Sequence, residues 1–328
     1  MKSLIPKLVG ALINFIGVFS SAYASKLALQ LFSKPRGGQL TPKGKLFLDT
    51  ATKTTLYYND LPIQTYQWNG SKETVLLAHG WESNSSRWRF EIEKLQSEGY
   101  TIVALDGPAH GGSGRDTFNA ILYSEFINVV SQKFKPTLFL GHSVGAMAVV
   151  IFLQKQTYRN AKKIVLLGAP SAFTGIMERY SSLMGYSKTI DRGIDRHVQQ
   201  KFGQPCSYFS TANFVSTIDS EGLIIHDKKD PIIPYQDALD IDAQFKNAEL
   251  ISTEGLGHSL KGEFVSGEII KFLRLPKSFG RVVGRILEPL KALWKFPIFI
   301  KDIAHVGFGS ATRFGAVTGN GEGEKVGS

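Results

Sequence analysis

Ser143 is centred in Gly141-His142-Ser143-Val144-Gly145, directly behind the apolar run Thr137-Leu138-Phe139-Leu140 and ahead of the helix-like stretch 146–153. Gly-x-Ser-x-Gly between a strand and a helix is the setting of a nucleophile elbow: the two glycines let the chain turn sharply without side-chain collision, leaving the serine hydroxyl exposed. A serine used in this way needs a base to take its proton and an acid to orient that base. Both occur downstream. Leu223-Ile224-Ile225-His226-Asp227 reads as a short buried strand followed by the loop Lys228-Lys229-Asp230-Pro231-Ile232-Ile233-Pro234, and the strand Ala248–Ser252 is followed by Thr253-Glu254-Gly255-Leu256-Gly257-His258. An acid, either Asp227 or Asp230, and His258 thus each follow a late strand, on the sheet edge that carries the serine.

Several further segments accompany this set. His79-Gly80 follows the apolar strand Thr74–Ala78, and Asp106-Gly107-Pro108-Ala109-His110-Gly111-Gly112-Ser113 follows the next one. With the serine, acid and histidine segments they make five motifs in one order, and the layout from about Thr54 to Leu275 resembles the α/β-hydrolase superfamily. Ala109 and Asp227 stand where that family's loop and acid segments have glycine. The resemblance implies an α/β fold with a mostly parallel central sheet, flanking helices and a small helical cap. It also implies ester-type acyl transfer by Ser143 as nucleophile, His258 as base and Asp230 as the acid. Asp227 is then a strand-end residue satisfied by backbone amides. The backbone N–H groups of Trp81 and Val144 would form the oxyanion hole, although Trp81 also reads simply as an aromatic wall.

The other histidines take plainer readings: His79 and His110 hydrogen-bond backbone in their loops, His142 flanks the nucleophile without moving its proton, and His197 and His305 carry no motif. His-x-x-x-His and Cys-x-x-Cys are absent, so neither a metal nor another cofactor is expected. The single cysteine, Cys206, excludes an internal disulfide framework and lies outside every motif.

These residues must be held by a large domain, and 328 residues with 43% hydrophobic content suffice for a buried sheet. Apolar runs predict strands near 54–58, 63–68, 74–79, 100–106, 137–142, 163–168, 222–227 and 248–252. Helices are predicted near 84–98, 116–133, 144–157, 235–245 and 259–273, an alternation that argues for a parallel sheet covered on both faces. The expected organisation is a leader over 1–45, a hydrolase domain over 46–275 with its cap at about 171–216, a basic amphipathic extension over 276–306, and a disordered glycine-rich tail over 307–328.

The net charge of +10 is unevenly placed: residues 1–45 hold seven Lys/Arg and no acid, residues 276–328 hold eight against four, and the body between holds 23 against 24. No basic stripe interleaved with aromatics crosses the body, so nucleic acid is not an expected partner. The basic, apolar ends point to an anionic membrane surface. Two readings of the leader stay open. Lys2 and Lys7 before the apolar run 8–19, with Ala22-Tyr23-Ala24 behind it, outline a signal peptide. The apolar pattern of Leu27, Leu29, Leu31 and Phe32 continues past that cut, as an uncleaved helix or interfacial anchor would.

The function expected is hydrolysis of a carboxylic ester or thioester, with a small acyl compound as substrate. Carbon–carbon bond hydrolysis and acyl transfer on the same fold are alternatives. A non-catalytic ligand-binding module is the alternative of another class, and an intact serine, acid and histidine argue against it.

Overall fold

A computed structural model of the chain describes residues 4–156 and 158–274; the extension and tail expected at 276–306 and 307–328 lie outside these. Eight strands make one sheet: β1 (Thr52–Tyr58), β2 (Leu61–Trp68), β3 (Lys72–Ala78), β4 (Tyr100–Leu105), β5 (Leu138–His142), β6 (Lys163–Leu167), β7 (Glu221–Asp227) and β8 (Ala248–Thr253). Their spatial order is β1-β2-β4-β3-β5-β6-β7-β8. β1 and β2 form a hairpin and β2 meets β4 antiparallel, while all pairs from β4 to β8 are parallel.

The central strands are apolar along their length because helices cover both faces. Leu76, Phe139, Ile164 and Ile224 face one layer, and their neighbours Leu77, Leu140, Val165 and Ile225 face the other. The helices, in chain order, are α1 (Leu4–Phe19), α2 (Ser21–Ser33), α3 (Pro42–Leu48), α4 (Arg89–Ser97), α5 (Ala120–Phe134), α6 (Val144–Gln156), α7 (Phe173–Met184), α8 (Lys188–Phe202), α9 (Thr211–Val215), α10 (Tyr235–Gln244) and α11 (Glu263–Arg274). Residues of α5, α6 and α10 pack in the first layer and those of α4 and α11 in the second. The run Gly145–Leu153 of α6 is buried all round, which accounts for its unbroken apolar sequence.

Three helix boundaries differ from expectation. Residues 85–88 form a 3₁₀ turn before α4. The helix expected from 116 begins at Ala120, where the Asn119 side chain accepts from Leu122 N–H and caps it. The helix expected from 259 begins at Glu263, because Leu260 takes a left-handed conformation with φ 48°.

Between β6 and β7 the chain leaves the sheet and forms α7, α8 and α9. The leader folds onto these helices as a hairpin of α1 and α2, joined at Ser20, whose side chain accepts from Tyr23 N–H. Asn14 is the clasp: its amide nitrogen donates to Gly185 O at 2.8 Å and its oxygen accepts from Ser187 N–H at 2.9 Å. Lys7 donates to Ser182 O, Ser25 to Ile190 O, and His197 to Ala22 O. Ala24, Ser25 and Ala28 of α2 are fully buried. A Cβ on Gly10 would lie 1.8 Å from Met184 O, so only glycine permits this approach of α1 to α7. Residue 45 falls inside α3, whose Leu48 is buried in the second layer.

Candidate active site

The turn from β5 into α6 places Ser143 at φ 53°, a conformation costly for a residue with a side chain. Two features hold it there. Ser143 N–H donates to Leu167 O on β6 at 2.8 Å. A Cβ on Gly145 would stand 2.3 Å from His79 O, so the helix start can press against the end of β3 only with glycine at that position.

The loops after β7 and β8 bring the other two side chains to this hydroxyl. His258 Nε2 lies 3.0 Å from Ser143 Oγ, and His258 Nδ1 lies 2.7 Å from Asp230 Oδ2. A carboxylate only accepts, so the imidazole carries its proton on Nδ1 and turns its Nε2 lone pair to the serine hydroxyl. Burial opposes charge on Asp230. The hydrogen bond with His258 and the Ile232 and Ile233 amides, at 2.8 and 3.0 Å, outweigh it and hold the carboxyl below its ordinary range. Ser143 and the Asp230 side chain are buried, while the imidazole keeps a partly open edge.

Asp227 does not reach the histidine. Its oxygens accept from Lys229 N–H, Leu256 N–H and the Thr253 hydroxyl at 2.8 to 2.9 Å. Burial alone would raise its pKa, and these donors bring it down to about 2. It therefore ties the loop after β7 to the loop after β8, the two segments that carry Asp230 and His258.

Val144 is the first residue of α6, and Trp81 follows His79-Gly80. His79 Nε2 accepts from Gly107 N–H at 2.8 Å, so its Nδ1–H donates to Gly80 O at 2.7 Å. Burial, with His110 beside it, pulls His79 down to about 3 and keeps the ring neutral. In a trans peptide the carbonyl and the following N–H point in opposite directions, so turning Gly80 O toward His79 turns Trp81 N–H away from it. The Trp81 ring lies parallel to Phe32 of α2 at 6.1 Å and edge-on to Phe118 at 5.3 Å. Phe32 also meets Phe173 and Tyr180 of α7.

Three residues around the site were not assigned these contacts from sequence. His142 donates from Nε2 to His258 O at 2.8 Å. Arg87 donates to Ser259 O at 3.0 Å while its guanidinium covers the Trp88 ring. His226 contacts Ile233 O at 2.9 Å and lies 3.5 Å from Asp230. They hold the backbone of the histidine and acid loops. His110 bonds backbone as expected, accepting from Glu82 N–H and donating to Pro108 O. Among the described residues no group of three or more His, Cys, Asp or Glu side chains is placed to hold a metal.

A strained serine between a parallel strand and a buried helix, in an eight-stranded sheet of this order, is the arrangement of the α/β-hydrolase fold. The family profile described as alpha/beta hydrolase fold matches residues 73–204. A non-heme chloroperoxidase from Streptomyces lividans is 21% identical over 278 residues, covering 69% of this chain and 98% of that protein. Among solved structures, an esterase from Exiguobacterium antarcticum superposes with a TM-score of 0.54 at 19% identity, over 68% of this chain and all of that one. A meta-cleavage product hydrolase from Pseudomonas fluorescens superposes with a TM-score of 0.52 at 16% identity, over 67% of this chain and 97% of that one. The chain has the α/β-hydrolase fold, and its sequence is similar to that family over residues 73–204.

Proposed function

We propose that the chain is a serine hydrolase of carboxylic esters or thioesters. The observation that carries this reading is the unbroken hydrogen-bond relay from Ser143 through His258 to Asp230. Binding alone requires no such relay, which weighs against a purely ligand-holding module. Ser143 Oγ attacks the substrate carbonyl as His258 Nε2 takes its proton. The tetrahedral intermediate collapses to an acyl-enzyme when His258 returns that proton to the leaving alcohol or thiol, and water then repeats the sequence to release the acid. Asp230, kept ionised, stabilises the imidazolium formed in each half. The N–H groups of Val144 and Trp81 serve as oxyanion donors, and each such donor contributes about 2.7–4 kcal/mol to the transition state. The helices between β6 and β7 act as the cap. Phe173 and Tyr180, with Phe32 from the leader, wall the acyl side next to Trp81.

Labelling with a fluorophosphonate tests the proposal. The full chain should be labelled at one serine, and Ser143→Ala should lose the label while keeping its circular dichroism spectrum. Equal labelling of Ser143→Ala refutes the assignment. Labelling without turnover of p-nitrophenyl esters or acyl thioesters would shift the reading to carbon–carbon bond hydrolysis or acyl transfer.

A further inference from the structure

The leader hairpin has two unlike sides. Toward the molecule, α1 buries Gly10, against Met184 of α7, and Ile13, and bonds Asn14 to the turn after α7, but on the far side Leu4, Leu8, Leu12, Phe15 and Phe19 form one continuous stripe. The spacing of four, four, three and four residues keeps them on one helix face. Each of the five is 59 to 78% exposed, and the neighbouring Ile5 and Val18 are also open. A helix apolar on both sides is normally buried on both, yet nothing among the described residues covers this stripe.

We propose that the outer face of α1 docks on an anionic lipid bilayer. Charge decides the occupant. Residues 1–45 hold seven Lys/Arg and no acid, and residues 171–216, the helices on which the hairpin sits, hold five against three. The remainder of 46–275 holds 18 against 21. The stripe therefore lies in the positive part of the molecule, with Lys7, Lys26, Lys34 and Arg36 exposed on the leader. A second copy docked through the same face would bring two such regions together. Residues 276–328, with eight Lys/Arg against four acids, would meet the same repulsion. Anionic headgroups meet attraction. At 16 residues α1 is about 24 Å long, short of the roughly 30 Å hydrocarbon core, and among the described residues no helix is long and apolar enough to cross a membrane. The helix therefore lies in the interfacial plane.

The test is co-sedimentation of the full chain with vesicles of phosphatidylcholine, alone or mixed with phosphatidylglycerol. Binding should be about tenfold or more tighter to the mixed vesicles at low salt and should weaken as salt rises. The variant Leu8→Gln/Leu12→Gln/Phe15→Gln alters only exposed positions. It should lose about tenfold or more in partition with an unchanged circular dichroism spectrum and unchanged phosphonate labelling. The single variant Phe15→Gln should lose a smaller part. Partition requires no turnover, so the result stands apart from the fate of the hydrolase assignment. The proposal is overturned if the full chain ignores anionic vesicles at low salt, or if the triple variant binds them as tightly as the parent. A dimer that the triple variant abolishes, in a chain that does not sediment with vesicles, would give the face to a second copy and overturn it equally.

Discussion

Two aspartates three residues apart, both buried at the end of β7, do different work because of what each oxygen meets. Asp230 gives one oxygen to His258 and the other to two amides, whereas Asp227 spends both on its own loop and the one after β8. Asp230→Asn should therefore cut kcat on the order of 10⁴-fold by leaving the imidazole free to take the wrong tautomer. Asp227→Asn should instead show a modest loss of turnover and a clear loss of stability. The sign with pH follows from the depressed pKa. Asp227 contributes stability above its ordinary value of 3.8, and this is lost as pH falls toward about 2. The melting-temperature gap between parent and Asp227→Asn should be widest near neutrality and close as pH drops through that window. A gap independent of pH would mean that the carboxylate charge is not what matters. The meeting of Ser143 and His258 with Asp230 rather than Asp227 was legible because each sits in a short local pattern. The contacts of His142 and Arg87 were not, since each joins residues more than a hundred positions apart and leaves no mark in its own neighbourhood.

At the level of elements, the central strands β3 to β7 were read within two residues at each end because largely buried parallel strands are plain apolar runs. Helix starts were harder where a 3₁₀ turn or a left-handed residue intervenes, as at 85–88 and Leu260. Close contacts between helices were illegible as well: nothing around Gly10 in sequence says that Met184 O will sit against it. That contact makes a sharp test of how the hairpin is held. Gly10→Leu should force α1 off α7, at a cost of about 1–3 kcal/mol as for other overpacked contacts. Hydrogen exchange should then show α1 losing protection while β3, β5 and β6 keep theirs. Uniform loss across the sheet would show instead that the hairpin and the hydrolase body unfold as one.

Taken as a whole, the molecule makes the leader part of its structure. The alternative of removal after Ala24 would cut inside the fully buried group Ala24, Ser25 and Ala28 and strip α1 from α7. Protein isolated from its own cells is accordingly expected to retain α1, with N-terminal sequencing finding residues ahead of Ala24; a mature chain starting at Ser25 would contradict this. The leader also matters to anyone handling the protein. Phe32 belongs to it, yet stacks on Trp81 beside the proposed nucleophile Ser143. A recombinant chain shortened to residues 46–275 for easier expression would thus lack the ring that stacks on Trp81, and under the proposed function a substrate screen run on it would rank compounds for an altered site. Affinity tags belong elsewhere than on α1, where they would crowd the stripe that the described residues leave bare.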